Sequence, residues 1–277
     1  MKNAFARFLF SAAGMLLVAS ATCARAEDSS PWIRDSHSAV RLIAGSRSGN
    51  AFLGGISFDI APGWKTYWRT PGDSGVPPRF DFSKSDNVES VTVLWPAPVK
   101  FPDGNGGFSY GYQKQAILPL RIVAKDGKKP VTLRAAINYA VCEKLCVPVE
   151  ASAELNFISE SSTEDNNISA ALDTVPKPAK IGDAGDLVIR DVKRDGKIGV
   201  VVDVFAKDGK DANLFAEGPT LDWALPVPKL VKREPGNIQR FAFDLDGLPP
   251  GASTDNAALK LTLSGGAGAT EYNVNLK

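Results

Sequence analysis

The sequence predicts an all-β protein in which two β-sandwich domains follow an export signal. Short runs of alternating apolar residues recur along nearly the whole chain, and Gly, Pro, Asn and Asp separate them. Short strands that are bounded by turn residues at this spacing are typical of β-sandwiches. A stiff Pro176-Lys177-Pro178 segment divides the runs into two series, which predicts two domains.

The first 26 residues have the layout of a secretory signal peptide. Lys2 and Arg7 supply positive charge, an uncharged apolar stretch covers 8–21, and small residues precede Glu27. The apolar stretch is shorter than the ~20 residues that a transmembrane helix needs. We therefore expect cleavage before Glu27, a periplasmic protein, and no membrane span in the mature chain.

The first strand series predicts a domain over residues 27–160. Its runs alternate between apolar and polar residues with the period of two that a half-buried strand requires. Turn residues lie between successive runs, so each run is expected to be a separate strand. The strands are expected at 38–43, 52–60, 88–94, 116–123, 131–139 and 150–157.

Residues 161–182 are predicted to form a linker that contains a short helix over 168–172. A second strand series then predicts a small sandwich over 183–277, which is within the normal size range of a domain. This part of the sequence contains no cysteine and no histidine, so we expect a structural or docking module. Its strands are expected at 187–192, 198–205, 213–217, 230–231, 239–245, 259–264 and 272–276.

The composition excludes several classes of function. With 44% hydrophobic residues, 23% charged residues and a net charge of +1, the chain has no basic patch for nucleic acid. The single histidine, His37, argues against His-dependent catalysis and against metal sites built from imidazole. No cofactor is expected.

Cys142 and Cys146 are the cysteines that remain once the signal peptide, with Cys23, is removed. In an extended strand, positions four apart are separated by ~13 Å, too far for the ~5.5 Å Cα separation of a disulfide. Pro148 and the β-rich flanks argue against a helix. The sequence therefore predicts a hairpin in which residues 143–145 form the loop and the cysteines face each other across the strands.

A disulfide here would close a very small loop, which contributes little stability in the chain-entropy model. The pair is better suited to exchange, because a hairpin tip is accessible to a partner's thiol. Lys144 favours a thiolate and Glu143 opposes it. A plain structural disulfide is one alternative. A Cu(I) site on Cys142 and Cys146 is another, although both methionines of the chain lie in the signal peptide.

Three stretches resemble the N-terminal periplasmic domain of the DsbD thiol:disulfide reductases, and more closely that of their ScsB relatives. The first covers 62–75 and reads PGWKTYWRTPGDSG. The second is Trp95-Pro96-Ala97-Pro98 with the later Tyr110-Gly111-Tyr112, and the third is the cysteine hairpin with its trailing Pro148. The resemblance spans roughly 52–150 and is specific, because the first stretch is long and unusual.

The resemblance implies an immunoglobulin-like fold and a dithiol relay in which Cys142 and Cys146 exchange electrons. We expect Cys142 to form the mixed disulfide, with the reverse assignment left open. A cap loop over the pair is implied around Phe108, Tyr110 and Gly111. Further candidates for side chains that modulate the thiols are Asp73, Tyr139, Glu143 and Lys144.

The family's membrane conduit and C-terminal thioredoxin domain do not follow in this sequence. We therefore expect a separate membrane electron donor of the DsbD, ScsB or CcdA kind, and periplasmic thioredoxin-like clients. The expected activity, if the pair is active, is that of a protein-disulfide reductase linked to copper tolerance or cytochrome maturation. The alternatives are a Cu(I)-handling protein and a non-enzymatic interaction module with a structural disulfide.

Overall fold

The structure, a computed structural model, describes residues 27–104, 106–158 and 160–276. The predicted signal peptide lies outside the described residues. In the first half of the chain, short polar turns separate eleven strands. These strands are β1 (Ile33–Arg34), β2 (Ser38–Ser48), β3 (Ala51–Ile60), β4 (Lys65–Gly72), β5 (Arg79–Asp81), β6 (Val88–Val93), β7 (Val99–Pro102), β8 (Phe108–Gln113), β9 (Gln115–Ala124), β10 (Val131–Cys142) and β11 (Cys146–Phe157).

The second half contains one short helix, a 3₁₀ turn over Lys207–Gly209 and eight further strands. No described helix is long and apolar enough to cross a membrane. The elements are α1 (Asp165–Leu172), β12 (Lys177–Pro178), β13 (Leu187–Asp195), β14 (Gly199–Ala206), β15 (Ala212–Glu217), β16 (Lys229–Glu234), β17 (Ile238–Asp244), β18 (Ala258–Gly265) and β19 (Gly268–Asn275).

The first eleven strands form an immunoglobulin-like sandwich. One sheet has the order β1-β2-β3-β9-β6, and the other has the order β11-β10-β4-β8-β7 with β5 paired to β10. Residues that alternate along the strands, such as Leu42, Ile56, Leu120 and Leu133, are fully buried between the sheets. This alternation is the period-two pattern from which the strands were expected.

The second group of strands forms two four-stranded sheets around a core of its own. The orders are β12-β19-β18-β15 and β13-β14-β17-β16. Val202, Val204, Leu261 and Leu263 have no exposed surface in this core. The all-β sandwich class that the sequence predicts is confirmed.

Six of the described strands, β1, β4, β5, β7, β8 and β12, are absent from the strands expected from the sequence. Four of them, β4, β5, β7 and β8, lie in a stretch that is rich in glycine and proline, where the alternation of apolar residues is interrupted. In β4 the regular pairing is interrupted as well, because its register with β8 shifts between Tyr67 and Gly72. This sheet carries the candidate site, so its register decides which side chains meet there.

The predicted linker is ordered and packed rather than extended. In α1, Ile168 is 1% exposed and packs on Gly45 of β2, and Glu164 forms an ion pair with Arg41. Strand β12 pairs in parallel with β19. The linker bounds 161–182 remain our proposal. The first part of this segment packs on the first sandwich, and its later part pairs with the second sandwich.

The two sandwiches share apolar contacts. Phe215 and Val227, from the second group, belong to the buried cluster of the first sandwich. The Phe215 ring lies 5.7 Å from Trp68 and 4.6 Å from Tyr110, measured between ring centroids. Trp68 is fully buried at this junction.

We predict that Leu120→Ala lowers the free energy of unfolding by about 2–5 kcal/mol, because it leaves a cavity in the first core. Leu145→Ala is the matched control, since Leu145 is 80% exposed and Leu120 is 0% exposed. Its effect should stay within about 0.5 kcal/mol. Urea unfolding of both variants measures the free energy of unfolding. Equal losses in the two variants would contradict the burial of Leu120 in the first core.

Candidate redox site

The cysteines lie opposite each other at the base of a hairpin. Strands β10 and β11 pair without interruption from Val131 opposite Phe157 to Cys142 opposite Cys146. The two cysteines form a disulfide with their Cα atoms 4.2 Å apart. Residues 143–145 are the loop, as the spacing of the cysteines indicates.

The two cysteines of the pair differ in exposure. Cys142 is 3% exposed, whereas Cys146 belongs to the exposed residues of β11. An attacking thiolate must approach along the S–S axis from the side of the sulfur that it joins. Burial of Cys142 therefore favours Cys146 as the attacked residue, which is the assignment that our expectation for Cys142 left open.

Tyr67 contacts the pair directly. Its hydroxyl lies 3.4 Å from Cys146 Sγ, and its ring is buried in a small cluster with Ala140 and Cys142. Burial raises the pKa of Tyr67, so the phenol keeps its proton at neutral pH and can donate it to sulfur. The sequence alone offered one signal for this residue, because alternation places Tyr67 on the face opposite Trp68.

Gly75 covers the ring of Tyr67. It has a φ of +126°, which is open to glycine, and a Cβ at this position would overlap the ring. The turn-rich segment after β4 therefore folds back over the tyrosine. Only a residue without a side chain permits this approach.

The register between strands identifies which side chains share the disulfide face of the sheet. Lys65 lies directly opposite Cys142, and Tyr67 lies opposite Gly111. Directly opposed residues in an antiparallel pair point to the same face. Lys65 and Gly111 are therefore on the same face as the pair, and Lys65 supplies a cation there.

The predicted cap residues Phe108 and Tyr110 point to the other face. They alternate with Gly111, and both contact the core cluster, in which Tyr110 is 2% exposed. Tyr110 is therefore a core residue and Phe108 packs partly buried against the core, and their role as a cap over the disulfide stays a prediction. Besides Tyr67, the disulfide face carries the aromatic residue Phe101, whose ring lies 5.5 Å from Lys65 Nζ.

Asp73 forms hydrogen bonds with the backbone of two other segments of the chain. Its Oδ2 accepts a hydrogen bond from the Phe108 amide at 2.9 Å, and its Oδ1 accepts one from the Val227 amide at 3.3 Å. Its own amide donates to the Phe108 carbonyl. These bonds hold both carboxylate oxygens on backbone amides, so an effect of Asp73 on the thiols would be indirect and stays a prediction.

Tyr139 is also separated from the pair. Its ring packs edge-on against Phe58 in the core, and its hydroxyl lies 2.8 Å from Ser38 Oγ. Three positions separate it from Cys142 along β10, so the two side chains point to opposite faces. Tyr139 is a core residue here, which corrects its assignment to the site.

Glu143 and Lys144 lie in the exposed hairpin loop together with Leu145. The Glu143 carboxylate lies against Gly63, since a Cβ there would be 3.3 Å from Oε1. The described residues contain no cluster of three or more His, Cys, Asp and Glu side chains that could hold a metal ion. The two sulfurs considered for Cu(I) are bonded to each other.

Comparison with known proteins agrees with this geometry. Residues 35–158 match the family model of the thiol:disulfide interchange protein DsbD, N-terminal. The family match therefore covers the first sandwich from β2 to β11. The resemblance expected from the motifs is thereby confirmed.

The whole described fold is similar to the crystal structure of the N-terminal periplasmic domain of ScsB from Proteus mirabilis. The TM-score is 0.72 with 20% sequence identity, over 90% of this chain and 98% of that one. The match extends well beyond residues 35–158, so the fold of the second sandwich is also shared with that structure.

Two other solved structures are similar at a level that carries no argument. One is a marsupial T cell receptor, with a TM-score of 0.24 and 11% identity over 88% of this chain and 99% of that one. The other is a conserved domain protein from Bacillus anthracis, with a TM-score of 0.26 and 10% identity over 86% of this chain and 76% of that one. No curated protein sequence matches the chain.

We predict that Tyr67→Phe shifts the equilibrium of the pair with glutathione about five-fold toward the disulfide, because a hydrogen bond to the Cys146 thiolate is lost. Tyr139→Phe is the matched control. It should leave this equilibrium unchanged and cost about 1 kcal/mol of unfolding free energy through the lost bond to Ser38. A shift of equal size in both variants would refute the placement of the two tyrosines.

Proposed function

We propose that this chain is a periplasmic thiol:disulfide exchange protein that passes reducing equivalents through Cys142 and Cys146 to thioredoxin-like or other periplasmic clients. The observation that carries the proposal is the asymmetric pair. Cys146 is an exposed residue whose sulfur lies beside a phenol, and Cys142 is a buried residue. Such a pair offers a partner one sulfur to attack and keeps a second for resolution.

The size of the loop supports exchange over stabilisation. A disulfide between residues that are already cross-strand neighbours removes little entropy from the unfolded chain. The hairpin is also held by the continuous pairing of β10 and β11, so the strands stay in place when the bond opens. Opening and closing then require movement of little more than the sulfurs.

Reduction of the pair begins when a donor dithiol attacks as a thiolate. The donor sulfur bonds to Cys146 Sγ, the Cys142–Cys146 bond breaks, and Cys142 leaves with the electron pair as a thiolate. The donor's second thiolate then attacks the donor sulfur of this mixed disulfide and releases the Cys146 thiolate. The donor becomes a disulfide, and the pair has gained two electrons.

Delivery to a client reverses the order of events. The Cys146 thiolate attacks a client disulfide and displaces one client sulfur as a thiolate. Cys142, held next to it, then attacks Cys146 Sγ and releases the second client sulfur. The client gains two electrons and the pair returns to the disulfide. Tyr67 stabilises the Cys146 thiolate by donating its proton in a hydrogen bond.

The partners that this chemistry requires are thiol-redox proteins on both sides of the relay. A membrane electron donor of the DsbD, ScsB or CcdA kind would supply the dithiol from the cytoplasmic side. Copper tolerance and cytochrome maturation are the pathways in which such a relay would act. The face that carries Cys146, Leu145 and Phe101 is the part of the surface where these partners would dock.

We predict that Cys142→Ser traps clients as mixed disulfides through Cys146, because the resolving sulfur is absent while the exposed one remains. Cys146→Ser is the control, and its buried Cys142 should trap far less. Both variants are expressed in the periplasm, alkylated in acid and separated without reductant. Stronger trapping by Cys146→Ser would reverse the assignment, and no adducts from either variant would contradict the exchange function.

A further inference from the structure

The second sandwich holds the segment that leads out of the redox site. Arg69 Nε and Nη2 donate to the two carboxylate oxygens of Glu217, at 2.8 and 2.7 Å. The same Nη2 lies 2.6 Å from Glu271 Oε2, and Thr70 Oγ1 donates to Glu217 Oε1 at 2.9 Å. Arg69 and Thr70 follow Tyr67 in β4, whereas both glutamates belong to the second sandwich.

This contact is mostly withdrawn from water. The Arg69 and Glu217 side chains are 16% and 9% exposed. Although burial opposes the charged form, the bonds to Glu217 and Glu271 hold the pKa of Arg69 above its usual value. A bidentate guanidinium–carboxylate pair fixes orientation as well as distance. The contact is therefore suited to hold β4 in one position.

Two further contacts fix the same segment to the second sandwich. The Val227 amide donates to Asp73 Oδ1, and Phe215 packs on Trp68. The segment 68–73 is thereby held within the bulge in β4 and directly after it. Gly75, two residues later, is the residue that lies on the ring of Tyr67.

We propose that the second sandwich acts as a clamp that positions Tyr67 at Cys146 and so sets the redox equilibrium of the cysteine pair. This inference rests on the proposed exchange function and assigns a task to the second sandwich within it. Arg69, Glu217 and Asp73 are positioning residues, because they act through the segment that covers Tyr67.

The chemical reason for the effect is a difference between the two redox states. A disulfide sulfur is a weak acceptor, whereas a thiolate accepts a strong, charge-assisted hydrogen bond. A phenol held at Cys146 therefore stabilises the reduced form more than the oxidised form. When the clamp is loosened, the hydroxyl spends less time at the sulfur and the equilibrium moves toward the disulfide.

The test uses the full mature chain with Glu217→Gln, which keeps the shape of the side chain and removes its charge. The matched control is Asp203→Asn, which breaks a bidentate pair with Arg240 of the same kind inside the second sandwich. We expect the glutathione equilibrium of Glu217→Gln to shift toward the disulfide by up to about five-fold, the size of one hydrogen bond. Asp203→Asn should leave it unchanged.

Urea unfolding shows whether both variants are folded. If Glu217→Gln fails to fold, Asp73→Asn is the second clamp variant.

A double-mutant cycle tests whether the clamp acts through Tyr67. In a Tyr67→Phe background, Glu217→Gln should cause no further shift, because the hydroxyl that it positions is absent. Additive shifts, or equal shifts in Glu217→Gln and Asp203→Asn, would overturn the inference. If the wild-type pair does not exchange with glutathione at all, the proposed function itself fails. If the wild-type pair exchanges normally and the glutathione equilibrium of Glu217→Gln is not shifted, only the clamp inference fails and the proposed function stands.

Discussion

The register of the hairpin formed by β10 and β11 is the constraint on which the site depends. Because side chains alternate along a strand, Val141 enters the core only if Cys142 points outward. A slip of one residue would expose the apolar face of β10 and turn Cys142 into the sandwich. The core therefore fixes the face and the pairing of the cysteines, and the disulfide adds a bond to positions that are already adjacent.

A second constraint comes from one short stretch of chain, 62–75, whose side chains contact three different parts of the molecule. Trp68 fills the junction between the sandwiches, Tyr67 contacts the disulfide, and Arg69 binds the carboxylates of the second sandwich. Neighbouring residues of an extended strand point in opposite directions, so a single strand can connect the core, the site and the second sandwich. The bulge after Tyr67 lets the strand turn toward Glu217 without breaking the sheet.

Local sequence patterns were sufficient for the strands with clear alternation and for the cysteine hairpin, because both depend on neighbours in the chain. Local patterns could not show which face Phe108 and Tyr110 point to, since this depends on how β8 registers with β4 across a bulge. Tyr139 could have been placed by counting three positions from Cys142 along one strand. The contact of Arg69 with Glu217 joins residues 148 positions apart, and no local pattern indicates such a pair.

The central claim is that the bond between Cys142 and Cys146 is made to open. The measurement that tests it most directly is the reduction potential of the pair in the full mature chain, determined by equilibration with glutathione buffers and acid alkylation. An exchanging pair is expected to have a potential above about −300 mV, in the range of catalytic dithiols. A potential below that value, with a disulfide that resists reduction by glutathione, would contradict the account and make the pair a structural disulfide.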